Sequence, residues 1–439
     1  MKKADIIKTA FRVWGRTLYQ STSLSEIAQE LGVSKSALYR HFENKQALLE
    51  AMYEQFFTEY VAFIKPQYDK ARLSQDRLDQ LFSIMRIAVE YYVRNRDTFI
   101  FCLVQVYGNQ RLDQMVRFMI AQGLDMQEFQ CLEEGDTSYP SAMQLVTATL
   151  TFLVAYFHKH GYTDKEGPAD EQVGQFIAWV ETRIAHGLGL YEEAIDALDF
   201  EELESRFGAW ALGFTTDRCH KDMQELEKRK KYPKAEDGSL LNAVASVVAE
   251  AGPWNVSMDM VARRSGLSKS GLYSHFKNKQ DMLRHLFMRE FQRILGYAEG
   301  GLTLSAIPEE QLYLVILSIV DCLRSHPKIL QIVDWLRTRP LNLSSKSPEV
   351  LEIFSAIKFK PEVPISEQTR HLIFFLIINT LMLRPQGMAF SELPNKSVRI
   401  LFRFIALGVS SAPRPPRRGG GGGGGGGWGG CWWCVGVVG

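Results

Sequence analysis

Two stretches of thirteen residues agree at ten positions, which include lysine, tyrosine, histidine and phenylalanine in the same order. The chain reads SKSALYRHFENKQ at 34–46 and SKSGLYSHFKNKQ at 268–280, an offset of 234 positions. Hydroxyl, imidazole and ammonium groups held in a fixed order are donors suited to the phosphate oxygens of a nucleic-acid backbone. The candidate phosphate contacts are Tyr39, His41 and Lys45 in the first stretch and Tyr273, His275 and Lys279 in the second.

Base edges would be read by neighbouring positions, and there the two stretches differ. Arg40 can bind a guanine edge or a phosphate, whereas Ser274 is short, and Ala37 can touch a thymine methyl group where Gly271 has no side chain. We therefore expect the two stretches to prefer different half-sites. The candidate base-reading residues are Lys35, Ser36, Ala37 and Arg40 in the first stretch and Lys269, Ser270, Gly271 and Ser274 in the second.

The segments around these residues predict three short helices in each half of the chain. Apolar residues recur at helical spacing from Ile6 to Trp14. Ser23 followed by Glu26 is typical of a capped second helix, which ends at Gly32, and Ser34 begins a third helix two residues later. Two short helices joined by a tight turn with glycine indicate a helix-turn-helix, whose second helix enters the major groove of DNA.

Both three-helix units, called heads below, resemble the DNA-binding domain of TetR-family transcriptional repressors. The motif of that family begins with Ser-Lys, two small residues and Leu-Tyr. After one variable residue comes an aromatic residue or histidine, followed by phenylalanine. One more variable residue precedes Asn-Lys. The family's glycine after the first helix is present as Gly252 but is replaced by Leu18 in the first head. The matching residues are Ser34, Lys35, Leu38, Tyr39, His41, Phe42, Asn44 and Lys45, and again Ser268, Lys269, Leu272, Tyr273, His275, Phe276, Asn278 and Lys279.

The resemblance implies an all-α fold of two tandem repeats, each a head followed by a helical bundle. In the family the last two helices form the dimer interface, so we expect 142–190 to pack against 366–409 as an intrachain pseudo-dimer. A helix from 47 should end before Pro66. The predicted domains are a first head at 1–48, a first bundle at 49–191, a linker at 192–234, a second head at 235–282, a second bundle at 283–412 and a disordered Gly-rich tail at 413–439.

Local charge predicts unequal heads. Residues 24–46 carry three basic and three acidic residues, whereas 258–280 carry five basic residues and one acid, Asp259. The second head is therefore expected to be the stronger electrostatic anchor.

The resemblance also implies release of DNA by a small-molecule effector, which the sequence does not identify. Aromatic residues of the first bundle could line its pocket or simply fill the core. His158, His160 and His186 do not have metal-ligand spacing, so we expect no metal and no cofactor. The pocket candidates are Phe101, Tyr107, Phe118, Tyr156 and Trp179.

Length and composition indicate a folded protein that is neither secreted nor embedded in a membrane. The chain has 439 residues, 46% of them hydrophobic, so it is long and apolar enough to form two hydrophobic cores. Its net charge is +1. We find no secretory signal, and the longest apolar run, at 372–383, is too short to span a bilayer, so we expect a cytoplasmic location without a membrane partner.

The absence of a nucleophile motif, paired carboxylates or a phosphate-binding loop argues against an enzyme. The resulting prediction is a regulator that binds double-stranded DNA as a monomeric pseudo-dimer, with further homodimerisation as an alternative. The other reading is a helical protein-binding module with one working DNA-binding head or none.

Overall fold

The fold is helical wherever the structure, a computed structural model, describes the chain. No strand occurs in those ranges, and none of their helices is both long and apolar enough to cross a membrane. The chain divides into two compact bodies, the first built mainly from residues 1–135 and 141–182 and the second mainly from 183–412. The described residues are 2–16, 23–103, 112–124, 142–160, 168–213, 238–326, 349–382 and 389–409.

The first body confirms the three predicted helices of the first head. Ile6, Ile27 and Leu38, one from each of these helices, are fully buried in a common core. Burial of one apolar residue per helix fixes the face that each short helix turns inward. The helices are α1 (Lys3–Arg16), α2 (Leu24–Glu30), α3 (Lys35–Tyr39), α4 (Lys45–Ala71), α5 (Arg77–Arg94), α6 (Arg96–Phe101), α7 (Leu112–Ala121), α8 (Ala142–His160) and α9 (Asp170–His186), the last of which ends in the second body.

The expected helix end before Pro66 is wrong, because α4 continues through this residue to Ala71. Proline removes one main-chain donor and strains the preceding turn. The helix persists since Ile64 and Tyr68, on either side of Pro66, are buried in the core of the first body. Tertiary packing therefore outweighs the local preference of Pro66.

The second body repeats the plan with a shorter bundle. Residues 238–275 form a second head of three helices, and the long helix over 279–303 that follows packs along the next one, over 308–325. Apolar residues at helical spacing predict helices over 311–324, 328–337, 366–383 and 396–409. The first, third and fourth are present with slightly different ends, whereas 328–337 lies outside the described residues. The helices are α10 (Glu192–Asp196), α11 (Phe200–Gly213), α12 (Gly238–Asn255), α13 (Met258–Ser265), α14 (Lys269–His275), α15 (Lys279–Thr303), α16 (Pro308–Ser325), α17 (Ile353–Ala356), α18 (Glu367–Met382) and α19 (Asn395–Leu407).

The described part of the predicted linker is folded. Residues 192–213 form α10 and α11, in which Leu203 and Phe207 are buried. Helix α11 packs on α16, with the ring centres of Phe200 and Tyr313 4.9 Å apart. Residues 214–234 lie outside the described ranges, so the domain boundaries remain predictions.

Glu204 anchors α11 to the second bundle through one carboxylate. It accepts hydrogen bonds from Arg399 Nε at 2.7 Å, from the Tyr313 hydroxyl at 2.6 Å and from Asn395 Nδ2 at 3.0 Å. Burial alone would raise the pKa of Glu204, but the donors Arg399, Tyr313 and Asn395 outweigh it and hold the pKa below the usual value. Glu204 is therefore ionised and fully paired at neutral pH.

A second contact in this body joins the ends of α9 and α19 through their main chains. The Leu188 N–H donates to the Ile405 carbonyl at 2.8 Å, and the Val409 N–H donates to the Ile184 carbonyl at 2.8 Å. The exchange is reciprocal, and the local sequences IAHGL at 184–188 and IALGV at 405–409 are related by one offset of 221. We call this contact the α9–α19 joint.

Candidate nucleic-acid interface

Four polar residues of the shared motif are helix caps. The Ser34 hydroxyl accepts from the Ala37 N–H at 3.2 Å, and Ser268 accepts from the Gly271 N–H at 3.0 Å. Asn44 and Asn278 cap the following helices in the same way, at 2.8 and 2.9 Å. These residues are explained by folding alone, because a capped N-terminus satisfies main-chain donors that the helix leaves unpaired.

Four apolar residues of the motif are core. Leu38 and Phe42 are buried in the first head, and Leu272 and Phe276 are buried in the second. Neither the caps nor the core residues are needed for contact with another molecule. The function of the motif therefore rests on its remaining polar and aromatic side chains.

The remaining motif residues lie on or near the surface in the same pattern in both heads. Tyr39 is 44% exposed and Tyr273 is 47% exposed, although a large aromatic residue without a surface role is usually covered. Lys45 and Lys279 are the first residues of α4 and α15. The exposed candidates are Lys35, Ser36, Tyr39, Arg40, Lys269, Ser270, Tyr273 and Ser274, and the half-buried ones are Ala37, His41, Lys45, Gly271, His275 and Lys279.

In the first head the lysines lie beside aromatic rings. Lys35 Nζ is 5.7 Å from the centre of the Tyr39 ring, and Lys45 Nζ is 6.0 Å from the Trp14 ring. Partial burial lowers the pKa of Lys45, although the nearby carboxylate of Glu26 acts in the opposite direction. A cation held over a ring keeps its charge close to the surface of the head.

In the second head the corresponding side chains are engaged within the protein. Lys269 Nζ lies 3.1 Å from the carboxylate of Asp259 on α13. The Ser274 hydroxyl donates to the Gly271 carbonyl at 2.6 Å, so this candidate base reader already uses its proton in its own helix. The motif alone did not reveal these contacts, although Asp259 stands where the first head has Ser25.

An ion pair, called the helix brace, joins the first two helices of each head. The basic residue lies on the first helix in the first head and on the second helix in the second head. Arg12 on α1 pairs with Glu30 on α2 at 3.1 Å. In the second head Glu250 on α12 pairs with Arg264 on α13 at 2.5 Å. Position 30 of the first head corresponds to position 264 of the second, so the two equivalent positions carry opposite charges.

The glycine expected after the first helix has a structural role in the second head. Gly252 has a φ of 76° at a kink within α12. Leu18, its counterpart in the first head, lies outside the described residues.

The structure does not bring all predicted pocket residues together. Phe101 packs edge-on against Phe11 with ring centres 4.9 Å apart, and Phe118 lies 5.8 Å from Phe57, so both belong to the core that joins the first head to its bundle. Tyr107 lies outside the described residues.

Trp179 lies at the end of a row of aromatic rings on α8 and α9, whereas Tyr156 packs against Phe152, with ring centres 5.9 Å apart. Trp179 contacts Phe176, Phe176 contacts Phe157, and Phe157 contacts His158, at ring-centre distances of 6.3, 4.7 and 6.0 Å. Tyr156 is half-buried two residues before His158. This row combines aromatic side chains with a buried polar group.

His158 is that polar group. Its side chain is 7% exposed, and Nε2 lies 2.8 Å from the Tyr92 carbonyl. A carbonyl only accepts, so Nε2 carries the proton and Nδ1 is left as an acceptor without a described protein partner. Burial lowers the pKa of His158 to about 4, despite the opposing effect of the hydrogen bond to Tyr92. No group of metal-binding side chains occurs around it or elsewhere in the described ranges.

Comparison with known proteins places both heads in one family of domains. The family model described as "Bacterial regulatory proteins, tetR family" matches residues 6–52 and 240–286. These two matches are separated by the same offset of 234 as the repeated motif.

Curated relatives are transcriptional regulators. The "Biofilm operon icaADBC HTH-type negative transcriptional regulator IcaR" of Staphylococcus aureus (strain Newman) is 26% identical over 180 residues, which are 40% of this chain and 92% of IcaR. The "Uncharacterized HTH-type transcriptional regulator YerO" of Bacillus subtilis (strain 168) is 48% identical over 48 residues, which are 11% of this chain and 17% of YerO.

Solved structures with detectable similarity are also regulators. The fatty acid degradation regulator FadR from Bacillus halodurans has a TM-score of 0.31 and 18% identity, covering 40% of this chain and 96% of its own. FadR from Bacillus subtilis in complex with stearoyl-CoA has a TM-score of 0.29 and 19% identity, covering 37% of this chain and 96% of its own.

Proposed function

Because this chain carries two helix-turn-helix units of the tetR family, we propose that it is a sequence-specific repressor of transcription whose two heads read one bipartite operator. The observation that carries the proposal is that both heads expose the same lysine, serine and tyrosine at equivalent positions once caps and core are set aside, namely Lys35, Ser36 and Tyr39 and then Lys269, Ser270 and Tyr273. Both heads present an exposed tyrosine, Tyr39 or Tyr273, with a lysine at the start of the next helix. Repression is supported by IcaR, a negative regulator.

Selection of bound duplexes from a random pool tests the function. Two working heads should enrich an asymmetric site whose halves lie about one helical turn, roughly 10 base pairs, apart. A single short half-site would mean that one head binds, and no enrichment would favour the protein-binding module.

Gel shifts with single variants then assign each half-site. Tyr39→Ala should weaken binding to one half and Tyr273→Ala binding to the other, because each removes an exposed phosphate donor. Tyr191→Ala is the matched control, since this tyrosine is 61% exposed but lies outside both heads. Equal binding by all three variants would contradict the proposal.

We propose further that the effector is a largely apolar molecule carrying one hydrogen-bond donor, held in the first bundle. The support is His158, whose Nδ1 is a buried acceptor beside aromatic rings. Such a molecule should release DNA from the wild-type protein and not from His158→Phe, measured by fluorescence anisotropy of a labelled operator. Release that is equal in both proteins would place the effector elsewhere.

We also propose that the chain acts as a monomer, in the cytoplasm where its DNA ligand would be found. One polypeptide of 50.0 kDa already holds both heads, and the α9–α19 joint is the type of reciprocal contact that two subunits would otherwise make. Light scattering on the purified protein should give the mass of one chain, whereas twice that mass would support the homodimer.

A further inference from the structure

Asp259 holds the first side chain of the second recognition helix. Lys269 begins α14, and its ammonium group lies 3.1 Å from each carboxylate oxygen of Asp259. Both side chains are about half exposed, at 57% and 52%, so the pair lies on the outer surface of the head. Lys269 is one of the residues proposed to read DNA, and in the protein alone its charge is turned towards α13.

The first head provides an internal comparison at the same positions. Ser25 is the second residue of α2, as Asp259 is the second residue of α13, and Lys35 begins α3 as Lys269 begins α14. Serine carries no charge, and Lys35 Nζ lies beside the ring of Tyr39, a proposed phosphate contact. The two lysines are identical in the motif but differ in their surroundings.

Ion pairs within the protein reduce the positive charge that the second head can offer to DNA. Of its five basic residues at 258–280, Lys269 is paired with Asp259 and Arg264 is paired with Glu250. A basic side chain that is paired within the protein must exchange a carboxylate for a phosphate when DNA binds. The second head has more basic residues than the first, but its affinity for DNA should not rise in proportion to their number.

We propose that Asp259 sets the DNA affinity of the second head by competing with a phosphate or base edge for Lys269. This inference rests on the proposed function. An exposed carboxylate beside the DNA surface also repels the phosphates directly, over a distance of roughly 10 Å at 0.1 M salt. The second head should therefore bind DNA more weakly than its five basic residues alone would predict.

The two heads allow a reciprocal exchange of this one residue. The full chain is prepared with Asp259→Ser and, separately, with Ser25→Asp, and each is titrated with duplexes that contain one enriched half-site. Asp259→Ser should raise affinity for the second half-site about twofold to fivefold, the range expected for loss of one exposed ion pair. Ser25→Asp should lower affinity for the first half-site by a similar factor, and both effects should shrink as salt increases.

Two controls separate a local contact from a general change in charge. Glu193→Gln removes the same charge from an exposed position outside both heads and should leave affinity unchanged. In a Lys269→Ala background, Asp259→Ser should lose the part of its effect that acts through Lys269. Thermal unfolding of every variant checks that the heads remain folded.

The outcomes distinguish this inference from the proposed function. If Tyr273→Ala abolishes binding to the second half-site but Asp259→Ser leaves it unchanged or weakens it, the head works and the inference is wrong. If neither Tyr39→Ala nor Tyr273→Ala alters binding, the DNA-binding proposal itself fails.

Discussion

Replacing Gly187 by alanine should open the α9–α19 joint. Gly187 has a φ of 56°, and a Cβ atom at this position would lie 2.4 Å from the Ile405 carbonyl oxygen and 2.9 Å from the Leu407 nitrogen. Both neighbours are main-chain atoms, so they cannot move aside by changing a rotamer. The two helix ends must therefore separate, which lengthens the hydrogen bond from Leu188 to Ile405.

Three contributions make up the expected loss of stability. A residue other than glycine in the left-handed region costs about 1–2 kcal/mol. Overpacking against fixed atoms adds about 1–3 kcal/mol, and weakening a buried hydrogen bond adds about 0.5–1.5 kcal/mol. Gly189 is the matched control, because its φ is 74° but no described atom lies within 4 Å of the position that a Cβ would take there. Gly187→Ala should thus cost about 2–4 kcal/mol more than Gly189→Ala.

Hydrogen exchange measures the joint directly. The amides of Leu188 and Val409 should lose protection in Gly187→Ala and keep it in Gly189→Ala, since both donate across the joint. Gly408→Ala should have the same effect from the other side, where a Cβ would lie 2.5 Å from the carbonyl carbon of Ala185. Equal destabilisation by the two glycine variants at 187 and 189, with protection unchanged, would refute the reasoning.

Three further outcomes follow from charges and composition. Glu204→Gln should lower the free energy of unfolding by about 1–3 kcal/mol at pH 7, and, because the pKa of Glu204 is lowered, its stabilisation should disappear as pH falls below the ordinary value of 4.5. His158 has a pKa of about 4 in the folded protein, below its ordinary value of 6.5, so the folded state should lose stability as the pH falls from 6.5 to 4. His158→Phe should remove this pH dependence of the free energy of unfolding, measured by urea titration at several pH values. Deleting 413–439, the tail predicted to be disordered, should leave operator affinity unchanged in gel shifts, and a loss of affinity would show that the tail takes part in binding.

The heads could be predicted from sequence because their determinants are local. Ser34 and Asn44 cap the helices that follow them within three residues, and Leu38 and Phe42 repeat at the spacing of a buried helical face. Each of these signals is complete within about ten residues. Their repetition 234 positions later allowed the second head to be predicted from the first.

The contacts of α11 were harder to predict. Its acidic composition suggested a linker, although Phe200, Leu203 and Phe207 follow helical spacing and could have indicated a packed face. Nothing near Glu204 in the sequence points to Arg399, which lies 195 positions away. A partner that distant is determined by the assembled bundle.

The same limit applies to the α9–α19 joint and to the candidate site. Gly187 and Gly408 look like ordinary helix ends until they are known to meet. Lys35 and Lys269 are equivalent in the motif, but Lys35 lies by Tyr39 of its own helix and Lys269 lies by Asp259 of the preceding helix. Sequence identifies which residues face outward, but the competition among them is a tertiary property.

The opposite polarity of the two helix braces has a consequence for how a duplicated chain folds. Near-identical segments on one polypeptide can exchange places during folding and trap misassembled forms. If α1 docked in the second head, Arg12 would approach Arg264, and if α12 docked in the first, Glu250 would approach Glu30. Each misplaced helix would place two like charges close together. The ion pairs therefore favour docking of each first helix in its own head.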